Sequence, residues 1–140
     1  MTLLVQKFGG TSLGSIERIK AVAQRIKSSK DNGNDLVVVV SAMGHKTDEL
    51  TNLASGITLH PPHREMDMLL STGEQISISL LTMALNELGI PAISLTGTQA
   101  GIITESAHGR ARILEIRTER IKNLLDQGKT LVIAGFQGSS

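Results

Sequence analysis

Short, almost uniformly apolar runs alternate along this chain with longer segments whose apolar residues return every three or four positions. Leu3-Leu4-Val5-Gln6-Lys7-Phe8 is short, largely apolar and closed by Gly9-Gly10, which predicts a buried first strand ending in a tight turn. Behind Ser15, a suitable N-cap, Ile16, Ile19, Val22, Ala23 and Ile26 recur at helical spacing until the polar stretch 28–34. Leu36-Val37-Val38-Val39-Val40 is a β-branched run without alternation, the pattern of a strand covered on both faces. Strand, helix, strand is a βαβ unit, the building block of parallel sheets.

Further on, Asp48 to Leu59 is expected to be a helix, with Gly56 and Pro61-Pro62 marking a loop. Arg64 to Leu88 predicts a long helical stretch, broken near Ser71-Thr72-Gly73 and C-capped by Gly89. Ala92 to Leu95 suits a short strand, and Thr96 to Gly109 a hairpin or loop. A strand at Ala111 to Ile116, a helix at Thr118 to Asp126 and a buried strand at Thr130 to Ala134 complete the order. The fold class is α/β: a mostly parallel sheet sandwiched by helices, in one domain over residues 1–140. Ligands of such sheets bind beyond the carboxyl ends of the strands. Gly135 to Ser140 follow a buried strand directly, so the domain looks cut there. Its last strand is expected to present an unpaired apolar edge that promotes self-association.

Composition narrows the function classes. The 140 residues carry 14 Lys plus Arg against 13 Asp plus Glu, a formal net charge of +1, and no Trp or Tyr. That balance argues against nucleic acid, which calls for a basic face and usually stacking rings. Without cysteine, disulfides, thiol nucleophiles and Cys-ligated zinc are excluded. The longest unbroken apolar run is Leu36 to Val40, far short of the ~20 residues of a membrane helix. No membrane partner is expected, and the location expected is the cytoplasm.

Candidate chemistry centres on Lys7-Phe8-Gly9-Gly10-Thr11-Ser12. Glycines let backbone amides approach an anion, and a lysine supplies mobile positive charge for phosphate. The same residues also suit a plain strand-to-helix turn with a solvated lysine, and no Gly-Lys-Ser/Thr closes a Walker A loop. Phe8 and Phe136, the only aromatics, both lie beside glycines at strand ends; they are ligand-turn rings or ordinary core residues. Ser41-Ala42-Met43-Gly44-His45-Lys46-Thr47 follows the second strand and offers hydroxyls for a small anion or, equally, a helix cap at Thr47. Glu74 either binds an ammonium group or is a first-turn acid of a restarted helix. His60 and His63 flank two prolines with no further ligand cluster, so no protein-bound metal is expected.

Taken together, five segments resemble the start of an aspartokinase, within the amino-acid kinase superfamily. They are Val5 to Ser12, Val39 to Gly44 with Thr47 six residues after Ser41, Leu69 to Glu74, Leu95 to Ile102, and Ala134 to Gly138. The resemblance spans the whole chain and implies an N-terminal catalytic lobe. It leaves a later Gly-Arg-Gly-Gly-Ser-Asp segment, the nucleotide-base lobe and regulatory domains outside these residues. It implies a phosphate loop of Phe8, Gly9 and Gly10, with Lys7 meeting the charge of the transferred group. Ser41, Thr47, Glu74 and Phe136 match positions that line the aspartate pocket. The implied reaction moves the γ-phosphoryl of Mg-ATP to the aspartate side-chain carboxylate, opening the route to lysine, threonine and methionine. An aspartate carboxylate, pKa about 3.9, is already a nucleophile at neutral pH, so no general base is required. Two other readings are a kinase for another small acid and a non-catalytic amino-acid-binding half-domain.

Overall fold

The computed structural model describes residues 2–104, 113–116 and 118–135. Four strands, β1 (Leu3–Phe8), β2 (Asp35–Val40), β3 (Ala92–Leu95) and β6 (Thr130–Ala134), form one parallel sheet in the order β1-β2-β6-β3. A separate antiparallel pair, β4 (Ile102–Thr104) and β5 (Ile113–Ile116), makes the hairpin that the glycine-rich stretch allowed. The helices are α1 (Ile16–Asp31), α2 (Lys46–Ser55), α3 (His63–Glu87) and α4 (Glu119–Asp126).

Register divides the strand residues into two faces. Phe8 pairs with Val40 and Val40 with Ala134; these side chains join Leu36, Val38 and Val132 in one core against α1 and α3. Ile19, Val22, Ala23 and Ile26 of α1 and Ile78, Leu81 and Leu85 of α3 close that core, as their spacing predicts. On the opposite face Val37, Leu131, Ile133 and Leu95 pack with Ile121, Leu124 and Leu125 of α4. That cover stops short of β1, where Leu3 and Val5 remain 52% and 66% exposed.

Three expectations need correcting. Helix α3 runs unbroken through Ser71-Thr72-Gly73. Its buried positions begin at Gly73 and run to Leu85, so the last turns sit on the sheet while the first ten residues reach beyond it. Gly73 is there for closeness: an added Cβ would lie 3.1 Å from both Ala42 Cβ and Lys46 Cγ. Helix α2 is shorter than expected and leaves Ile57 and Leu59 exposed outside it. Strand β6 is not an edge. It inserts between β2 and β3, so the free edges of the sheet belong to β1 and β3.

Helix ends behave as their residues predict. The Ser15 hydroxyl accepts from the Arg18 amide and caps α1. After α3, Gly89 has φ +82, its amide donates to Asn86 O and that of Ile90 to Leu85 O, a Schellman stop. Helix α3 alone among the described helices is long and apolar enough to span a membrane by length and composition; the burial of Ile78, Leu81 and Leu85 against the sheet accounts for part of that apolar character.

Candidate functional site

Because all four strands run the same way, the segments following β1, β2, β3 and β6 gather at one rim of the sheet. Backbone hydrogen bonds stitch that rim: Ser41 N donates to Phe8 O, Gly44 N to Gly10 O at 2.9 Å, and Gly135 N to Val40 O at 2.7 Å. Gly10 has no room for a side chain, since a Cβ would come 2.7 Å from Ala42 O. Gly9 is different, with nothing within 4 Å of a built Cβ. One glycine locks the first loop onto the second, and its neighbour leaves the backbone open to a ligand.

The first loop does not run straight into α1. A 3-10 turn, Gly10–Leu13, intervenes, with Leu13 buried as its anchor. Lys7 is exposed near the end of β1, on the face opposite Phe8, and Phe8 is buried in the core. Arg25 of α1 stands over the Phe8 ring, 5.4 Å from its centroid, within cation–π range. Phe8 is thus a core residue whose backbone lies at the rim.

Ser41, Thr47 and Glu74 do come together. With Ala42 and Leu70 they line one cavity of about 190 Å³. Glu74 is only 3% exposed, brought there by the close passage of α3 at Gly73. The cap role weighed for Thr47 is not seen: His45 is the N-cap of α2, and Thr47 sits inside the first turn with its side chain lining the cavity. The cavity combines two hydroxyls and a carboxylate with an Ala and Leu wall, suited to a small zwitterion. Ala42 and Leu70 were not singled out from the sequence; Leu70 falls within the quoted Leu69–Glu74 motif, one turn before Glu74. Phe136 lies outside the described residues. Among the described residues no three metal-ligating side chains gather.

Residues 2–140 match the family described as the amino acid kinase family. The chain belongs to that family. It is 66% identical over 138 residues to an aspartokinase from Bacillus sp. strain MGA3, covering 99% of this chain and 34% of that protein. Aspartate kinase from Synechocystis superposes with a TM-score of 0.82 at 59% identity, over 97% of this chain and 22% of that one. Escherichia coli aspartokinase III, solved with aspartate and ADP, shares the fold at a TM-score of 0.77 and 20% identity, over 97% and 41% of the two chains. The chain therefore spans about a third of the length of the curated relative it matches. Both the α/β class and the resemblance drawn from the five segments hold.

Proposed function

We propose that this chain is the amino-acid-binding lobe of an aspartate kinase, an enzyme that transfers the γ-phosphoryl group of ATP to the side-chain carboxylate of L-aspartate. The observation that carries the reading is the convergence of Ser41, Thr47 and Glu74 on one cavity at the carboxyl rim of a parallel sheet. In this reading Glu74 pairs with the α-ammonium of the substrate, while Ser41 and Thr47 donate to carboxylate oxygens, as charge-assisted hydrogen bonds favour.

The acceptor carboxylate is ionised at neutral pH, so the barrier lies in bringing one anion to another. Lys7 and the amides of Gly9 and Gly10 answer that with positive charge at the transferred group. The open backbone at Gly9 and the exposed Lys7 fit a phosphate chain. In this reading Mg-ATP is the co-substrate, and its phosphates carry the magnesium.

Phosphoryl transfer depends on aligning both reactants, worth about 7–11 kcal/mol of barrier. A lobe that contributes one wall of the phosphate site forfeits most of it. The expected outcome is ATP-dependent 4-phosphoaspartate formation by the enzyme encoded at the relatives' full length, aspartate preferred over glutamate, and none by the 140-residue chain alone. A coupled ADP-release assay with each acid checks both. Preference for glutamate would sink the substrate assignment, and aspartate-dependent turnover by the short chain would sink the assignment of a lone lobe.

A further inference from the structure

Two of the five side chains that line the Ser41–Thr47–Glu74 cavity carry no polar atom, Ala42 and Leu70. The contacts assigned to the ammonium and carboxylate groups leave both without a part. They are held in different ways. Ala42 is buried and hemmed in: a Cβ added at Gly73 would lie 3.1 Å from its Cβ, and one added at Gly10 would lie 2.7 Å from its carbonyl oxygen. Leu70 is half-buried, belongs to the ten residues of α3 that reach beyond the sheet, and joins neither hydrophobic core. Its apolar surface is given to the cavity rather than to the packing of the sheet.

Leu70 precedes Glu74 by four residues, about 6 Å along α3, and side chains at that spacing lie one above the other on a helix face. A ligand whose ammonium group meets Glu74 therefore has Leu70 beside its carbon chain. The cavity itself is small. Its volume of about 190 Å³ falls below the ~300–1,000 Å³ usual for ligand pockets. Ala42 cannot give way without parting the first loop or α3 from the end of β2. Leu70 is left as the wall that meets any added carbon.

We propose that Leu70 is a specificity-determining residue, whose side chain closes the cavity against amino diacids longer than four carbons. The inference rests on the reading of this cavity as an amino-acid site, and it adds the group that tells aspartate from glutamate. Ser41, Thr47 and Glu74 cannot do this alone, because the two acids present the same ammonium and carboxylate groups. The acids differ by one methylene. An apolar wall discriminates such a difference by about 10- to 200-fold, since the added carbon must be fitted against atoms already in contact.

The test is titration of the ¹⁵N-labelled chain with L-aspartate and with L-glutamate, unaltered and as Leu70→Ala, Leu70→Met and Leu50→Ala. The unaltered chain should bind aspartate at least about tenfold more tightly than glutamate. Leu70→Ala opens the wall, so glutamate should gain and aspartate lose, bringing the ratio to within about threefold. Leu70→Met conserves volume and should keep the preference. Leu50 is the control. It lies 3.4 Å from a Cβ added at Gly73 and packs α2 on α3 without lining the cavity, so Leu50→Ala should weaken both acids alike. On the unaltered chain with ¹³C-labelled leucine methyls, aspartate should move the Leu70 signals and leave those of Leu81 and Leu85, deep in the core, in place. That measurement decides even where a variant fails to fold. The proposal is overturned if the ratio survives Leu70→Ala, if Leu70→Met or Leu50→Ala changes it as much, or if the Leu70 methyls do not respond. Neither acid moving the amides of Ser41, Thr47 and Glu74 would instead overturn the reading of the cavity itself, and this proposal with it.

Discussion

Two regions at the same rim of the sheet are built in opposite ways. The cavity of Ser41, Thr47 and Glu74 is walled by the end of β2, by α2 and by α3, and its carboxylate is buried. The loop of Lys7, Gly9 and Gly10 is walled on one side, with Lys7 exposed and open space at Gly9. The difference teaches where preorganisation resides in this chain. Close packing at Gly73 shapes the first region before any ligand arrives, whereas the second offers donors to a partner that must come from elsewhere.

The largest expected effect falls on the open region. In the full-length enzyme, Lys7→Ala should lower kcat by about 10²–10³-fold, the usual loss for one donor to transition-state charge, with aspartate KM nearly unmoved. Steady-state kinetics check this; normal turnover would remove Lys7 from the reaction. Next in size, Glu74→Gln and Thr47→Ala should raise aspartate KM first. For Glu74 a charge-assisted contact of about 1.5–3 kcal/mol corresponds to roughly 10- to 100-fold. If both sets of variants changed kcat and KM alike, the two regions would not be separable as drawn.

The smallest effect concerns the neighbouring glycines. Gly10→Ala drives a methyl against Ala42 O and should cost about 1–3 kcal/mol of stability, the range for overpacking. Gly9→Ala meets nothing and should stay within about 0.5 kcal/mol. Urea denaturation of the two variants compares them directly, and equal losses would contradict the locked-and-open description of this loop.

Much of the fold was legible in local pattern. The apolar runs of β1, β2 and β6 and the helical spacing of α1 needed no tertiary information, because sheet burial and helix periodicity are written residue by residue. The position of β6 was not. Nothing in Thr130–Ala134 says which strands it joins: its place late in the sequence suggests an edge, whereas the sheet holds it between β2 and β3. Gly73 misled in the same way. A glycine in a helical run signals a break locally, whereas here the neighbours Ala42 and Lys46 require it. At the site, residue types suggested Ser41, Thr47 and Glu74 only as alternatives to ordinary caps and turns. The family motifs selected them, and the packing of α2 on α3 brought them together.

The account rests above all on an acidic cavity that takes an amino acid by its ammonium group. Titrating the ¹⁵N-labelled chain with L-aspartate and, in parallel, with succinate tests this most directly, because succinate keeps both carboxylates and lacks the ammonium. Aspartate should shift the amides of Ser41, Thr47 and Glu74 with millimolar affinity, and succinate should bind at least about tenfold more weakly, the loss of one charge-assisted pairing. Equal binding of the two acids, or aspartate shifts confined to residues outside this cavity, would contradict it.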